Sequence, residues 1–275
     1  LEVWMFTQEA IDQFCVAKAV VWTSYRTRAK YLGVLTRFAA VYPEGPETPG
    51  PIESFLAGLQ LAPQSLHTYY RVLRTFYGWY SRRHDTIDPF LMIQAPSAQR
   101  PRPRILSLEE LQQLLSLPDH PPPAPLLLNV LADTGIRVGE AANLHRDNIT
   151  PDSLIVTGKT GAREVPCSPD ICDDLRTHTG RIFPYLASSL THMVQRAFRR
   201  AGFSGAKVGP HTLRHTFATL WGGSDADLQA ILGHRAPEMT LWYRQFRIER
   251  AKRDHARYSP RNRIREVAPL TLFAA

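Results

Sequence analysis

At 275 residues the chain is long enough for one large domain or for two, each with its own core. Its 44% hydrophobic and 21% charged residues exclude a wholly disordered chain, and 33 lysines and arginines against 25 acidic residues, a formal net charge of +8, point to a polyanionic partner. No run of about 18 apolar residues is present to span a bilayer, the first residues do not resemble a signal peptide, and Cys15, Cys167 and Cys172 provide neither a disulfide framework nor CxxC zinc spacing. The expected setting is therefore the cytoplasm, in association with the nucleoid, with no membrane partner.

Apolar residues recur at helical spacing over 7–21 and again over 24–41, as with Leu32, Leu35, Phe38 and Ala39, until the Pro- and Gly-rich residues 43–51 break the run. A third helix is predicted over 65–82, where Leu66, Tyr69, Tyr70, Leu73, Phe76, Tyr77 and Tyr80 form one stripe. That stripe reads as core packing rather than base stacking. Arg71 and Arg74 lie off it and are candidate phosphate contacts. Residues 95–104 combine Pro96, Pro101 and Pro103 with Arg100, Arg102 and Arg104, a stiff basic connection whose arginines are further candidate DNA contacts. The expected division is a helical region over 1–97, a linker over 98–106 and a second domain over 107–275.

Ser107 followed by Glu110 reads as a capping box that opens a helix to about Leu117. An apolar run over 125–132 leads into residues 134–140, Thr-Gly-Ile-Arg-Val-Gly-Glu. The spacing to Ala141, Ala142 and Leu144 predicts a helix continuing around Arg137, with Glu140 bracing that arginine on the same face. Two short strands, 153–157 and 162–166, flank Gly158-Lys159-Thr160-Gly161 and place Lys159 at a hairpin tip. The glycine that a phosphate-binding P-loop requires five positions before Gly158 is Ser153, so ATP binding is not expected. Further helices are predicted over 169–178 and 189–202. The fold class is mainly α with a small β-hairpin, an α+β chain.

Pro210 is a favourable first-turn residue, which puts His211, Arg214 and His215 at the start of a helix, with His211 and Arg214 on one face. His211 and His215 have the spacing of a zinc helix, but Thr212 stands where a metalloprotease places its glutamate, and no metal is expected. Leu232-Gly233 reads as a helix end that delivers His234. Arginine keeps its charge near neutral pH and grips phosphate oxygens bidentately, so Arg137 and Arg214 can stabilise a phosphorus centre that gains negative character. Tyr243 would supply the nucleophile. A lone tyrosine is more often a half-buried core residue, and it is the combination that carries the chemistry.

The Arg137 segment, Lys159 on its hairpin, His211-x-x-Arg214, Leu232-Gly233-His234 and Tyr243, nine residues after His234, together resemble the tyrosine recombinase, or phage integrase, family over nearly the whole chain. The spacing selects Tyr243 over Tyr258. The resemblance implies a core-binding domain over 1–97 and a catalytic domain with a C-terminal tail over 107–275, closing together around duplex DNA. It implies that Tyr243 attacks a phosphodiester to leave a 3′-phosphotyrosyl link, with Arg137 and Arg214 on the non-bridging oxygens and His234 adding a hydrogen bond. His211 would serve as acid–base and Lys159 would protonate the departing 5′ oxygen, with no ATP, metal or other cofactor. A homotetramer on double-stranded DNA and an accessory directionality factor are also implied. Two alternatives stay open: a type IB topoisomerase-like enzyme that relaxes DNA, and a catalytically idle DNA-binding architectural protein.

Overall fold

The computed structural model describes residues 8–22, 25–97, 102–118, 120–158, 161–203 and 208–233. The chain divides into two compact units, Leu1–Arg102 and Pro103–Ala275.

Among the described residues the first unit has four α-helices, α1 (Gln8–Ala19), α2 (Tyr25–Ala39), α3 (Pro49–Gly58) and α4 (Pro63–His84). Each buries one stripe: Ile11 and Phe14 from α1, Val34, Leu35 and Phe38 from α2, Ile52, Phe55 and Leu56 from α3, and Tyr70, Leu73, Phe76, Tyr77 and Tyr80 from α4. Several α4 aromatics pack edge to face with their neighbours, as Phe76 does with Phe14 at 5.2 Å between centroids, while Phe76 and Tyr80 stack. Tyr70 finds a partner for its hydroxyl in the Ile93 carbonyl at 3.2 Å. The stripe is core, as the sequence pattern indicates. The pattern alone misses α3, because its Pro49-Gly50-Pro51 start resembles a breaker. Proline in the first helical turn has no N–H to lose, and the helix begins there. At the other end of α4, Asp85 adopts a left-handed conformation, φ 53°, and closes the helix.

In the second unit the Ser107–Glu110 capping box forms as expected, with each side chain bonded to the other's backbone N–H, and opens α5 (Leu108–Leu115). The central α6 (Ala124–Thr134) is apolar nearly all round, with Leu127, Leu128, Val130 and Leu131 fully buried. Gly135 then ends it in a left-handed conformation, φ 62°, where an added Cβ would stand 2.5 Å from the Phe217 ring. The predicted continuation of this helix around Arg137 is therefore wrong. Helical periodicity spans the break because Ile136 and Ala141 both reach the same core, although a turn separates them. Arg137 caps a new short helix, α7 (Val138–Ala141), from an extended backbone.

The hairpin strands β1 (Ser153–Gly158) and β2 (Gly161–Pro166) pair antiparallel, with Leu154 opposite Val165 and Val156 opposite Arg163. Leu154, Val156 and Val165 are buried, which fixes the register by turning one face of the hairpin to the core. Then come α8 (Pro169–Arg176), α9 (Ala187–Arg200), α10 (Pro210–Leu220) and α11 (Asp225–Leu232). Among the described residues no helix is long and apolar enough to cross a membrane.

Candidate active site

Three of the expected catalytic residues, Arg137, His211 and Arg214, lie in the described region, and the two arginines converge on the C-terminal end of α11. Four carbonyls at a helix end have no partner within the helix, and the macrodipole leaves that end negative, so it is a natural seat for guanidinium groups. Gly233 turns the chain at φ 63° and leaves the carbonyls of Ile231 and Leu232 open to side chains. Arg214, on the first turns of α10 and 4% exposed, donates from Nη2 to the Leu232 carbonyl at 2.8 Å and from Nη1 to the Gly135 carbonyl at 2.7 Å. Arg137 donates from Nη1 toward the same Leu232 oxygen at 3.5 Å, the outer limit of a hydrogen bond. One backbone atom thus registers both arginines.

Arg137 is also held by Glu140, as the sequence spacing suggests, but from a cap rather than along a helix face. Its backbone N–H donates to Oε2 at 2.8 Å and its Nη1 to Oε1 at 3.1 Å. The sequence reading missed the third arginine. Arg163, on β2, donates from Nη1 to Glu140 Oε1 at 2.8 Å, from Nη2 to Oε2 at 2.9 Å, and from Nε to the Ile231 carbonyl at 2.8 Å. A signal was available: Arg163 shares strand parity with the buried Val165, so it faces inward where an apolar residue is the default.

Burial raises the pKa of Glu140, but the hydrogen bonds from Arg163 and the Arg137 backbone, with the charges of both arginines, outweigh it and hold the carboxyl down to about 2. Glu140 is therefore a fixed anion. His211 moves below the ordinary histidine range because of the protein packed around it, then the charges of Arg214 and Arg137. This shift keeps it a neutral base near physiological pH, in a field that favours anions. His215, one turn on with ring centroids 6.2 Å apart, is pushed down to about 4 by burial first, then by its neighbours His211 and Arg214. Among the described residues no cluster of histidine, cysteine and carboxylate groups is arranged to hold a metal ion.

Lys159, His234 and Tyr243, and Arg100 among the candidate DNA contacts, lie outside the described residues. Arg71 and Arg74 are exposed on α4, and Arg102 is exposed at the end of the first unit. Arg104 forms an ion pair with Glu110, the capping-box carboxylate, so its charge is already partly compensated.

Residues 104–250 match the phage integrase family. Tyrosine recombinase XerC of Erythrobacter litoralis is 34% identical, with 66% of this chain and 69% of that protein covered. Tyrosine recombinase XerD of Chlorobaculum tepidum is 30% identical, covering 86% of this chain and 91% of that protein. The fold is shared with lambda integrase in a structure of its dimer bound to a COC′ core site, at a TM-score of 0.73 and 21% identity, covering 86% of this chain and 76% of that one. The chain belongs to the phage integrase family and is a tyrosine recombinase, an enzyme of the kind that cleaves and rejoins DNA strands.

Proposed function

We propose that this protein is a site-specific DNA recombinase that cuts and reseals DNA through a 3′-phosphotyrosyl intermediate on Tyr243. The observation that carries this reading is the junction of Arg137 and Arg214 on the Leu232 carbonyl, beside a neutral His211. Such a junction can hold two non-bridging phosphate oxygens in a geometry fixed before DNA arrives. A free phenol titrates at about 10, so the Tyr243 hydroxyl needs a base and gives its proton to His211 as the phenolate bonds to phosphorus. The P–O5′ bond breaks, and Lys159 gives a proton to the departing 5′ oxygen. His234 adds a hydrogen bond to the phosphate. Attack by a 5′-hydroxyl reverses the sequence, so the bond energy is kept in the phosphotyrosine and no ATP is needed. Positive charge from the arginines does the work that a divalent metal does in many nucleases.

The partner is double-stranded DNA, bound by the 1–97 core-binding domain and by the 107–275 catalytic domain, which the 98–106 linker joins, with Arg71, Arg74, Arg100 and Arg102 on backbone phosphates. The assembly is a homotetramer on DNA, served by an accessory directionality factor, and the working compartment is the nucleoid. The XerC and XerD relatives favour strand exchange over topoisomerase-like relaxation and over an idle binding module.

Covalent trapping tests this function. Wild type and Tyr243→Phe are incubated with nicked duplex fragments of the source genome, and SDS-resistant adducts are recovered and sequenced. Adducts with wild type alone, at a recurring site, are expected. Adducts that persist in Tyr243→Phe, or none with wild type despite salt-sensitive DNA retention, overturn it.

A further inference from the structure

We propose that Arg163 is a positioning residue for strand cleavage, locking Arg137, the end of α11 and the hairpin that carries Lys159 into one rigid frame. The proposal rests on the recombinase reading above. Three segments far apart in sequence meet at its guanidinium. Nη1 and Nη2 hold the two oxygens of Glu140, whose carboxylate also holds the Arg137 backbone and side chain, while Nε holds the Ile231 carbonyl three residues before His234. Arg163 itself belongs to β2, so the hairpin cannot shift without moving all of these bonds.

The packing around the frame is close. A Cβ at Gly158, the residue before Lys159, would stand 2.5 Å from Glu140 Oε1, and one at Gly233, the residue before His234, would stand 3.1 Å from Arg163 Cδ. The backbones that lead into both side chains therefore press directly on this ion pair. Only arginine offers three donors in one plane and in these directions; a lysine ammonium is a point charge that cannot span two carboxylate oxygens and a carbonyl. Stability alone does not account for the arrangement, since a buried ion pair contributes little net stability compared with an apolar pair of similar volume. Orientation does, because reacting groups displaced by about 1 Å lose about a hundredfold in rate.

The test uses the full chain and a nicked duplex bearing the site recovered with wild type. Arg163→Lys and the uncharged double variant Arg163→Met/Glu140→Gln, which leaves no lone buried charge, are compared with wild type. Three quantities are read: thermal unfolding, Kd for the duplex, and the single-turnover rate of adduct formation. The expected result is folded protein in both variants, Kd within about twofold of wild type, and a cleavage rate lower by about ten- to a hundredfold. Wild-type cleavage rates in both variants, or an equal loss of rate and affinity that tracks unfolding, overturn the positioning role. Absence of adducts with wild type itself removes the recombinase reading, and this role with it.

Discussion

Arg214 Nη2 lies 2.8 Å from the carbonyl oxygen of Leu232, so a buried cation closes the last turn of α11 at the point where the chain leaves for His234. The same guanidinium binds Gly135 at the end of α6. It therefore joins two helix ends whose carbonyls have no helical partner.

Arg214→Met should cost both stability and chemistry. The Gly135 carbonyl loses its Arg214 donor and the Leu232 carbonyl keeps only the long contact from Arg137, a loss of about 1–3 kcal/mol for each group left unsatisfied, and cleavage falls by about a hundredfold or more as one oxyanion donor goes. Chemical denaturation and single-turnover cleavage measure the two losses. A variant with normal stability and a normal rate excludes Arg214 from the site.

The hairpin backbone should tolerate no side chain at Gly158. An alanine Cβ would collide with Glu140 Oε1 at 2.5 Å, so Gly158→Ala is expected to slow cleavage by about tenfold while all charges remain in place. Rates measured at saturating DNA check this, and an unchanged rate would mean that the carboxylate has room to move.

Gly135→Ala tests the break between α6 and α7. Both the positive φ of 62° and the 2.5 Å approach to Phe217 disfavour a Cβ, and a loss of about 2 kcal/mol or more is expected in thermal or denaturant unfolding. A neutral effect would show that the turn relaxes freely.

Acid should weaken the fold in two windows. His215 has a folded pKa of about 4 against 6.5 when exposed, so the unfolded state takes up its proton first and stability drops as pH falls from about 6.5 to 4. Glu140, at about 2 against 4.5, holds stability that is fully present above 4.5 and lost on approach to 2, on the order of 3 kcal/mol. Denaturation midpoints across this range for wild type, His215→Ala and Glu140→Gln separate the two contributions. A flat wild-type profile would contradict both.

Cleavage itself should follow the neutral form of His211. Its pKa lies below 6.5, so the rate climbs with pH along a limb whose midpoint is below 6.5 and levels off above it. His211→Ala should lower the plateau by about a hundredfold and remove the limb. A limb that survives the substitution belongs to another group.

Most of the fold was legible because its signals are local. The capping box at Ser107, the glycine-containing turn between the two strands and the glycine after Leu232 each act within a few residues, and the cap, the strands and the helix end form as the sequence indicates. The catalytic candidates are singled out by their order and spacing rather than by any one residue. What escaped was non-local. The Gly135 turn hides within helical periodicity because residues on both sides of it pack into one core. Arg163 passed unnoticed because its partners, Glu140 and Ile231, lie 23 and 68 residues away along the chain. A one-dimensional pattern records that a charged residue faces inward without recording what receives it.

The oxygens that anchor Arg137, Arg163 and Arg214 at Gly135, Ile231 and Leu232 belong to the main chain. No side-chain replacement at these three positions deletes a carbonyl. Mutational drift there can loosen packing or bend the turn, but the receptors for the arginines survive any exchange that keeps the backbone path. Glu140 apart, whose carboxylate also receives Arg137 and Arg163, the centre is thus buffered against mutation on its acceptor side and exposed to it on its donor side, where one codon change at an arginine removes an anchor outright. In a randomised library selected for activity, Ile231 and Leu232 should accept several apolar residues, while Arg137, Arg163 and Arg214 stay fixed.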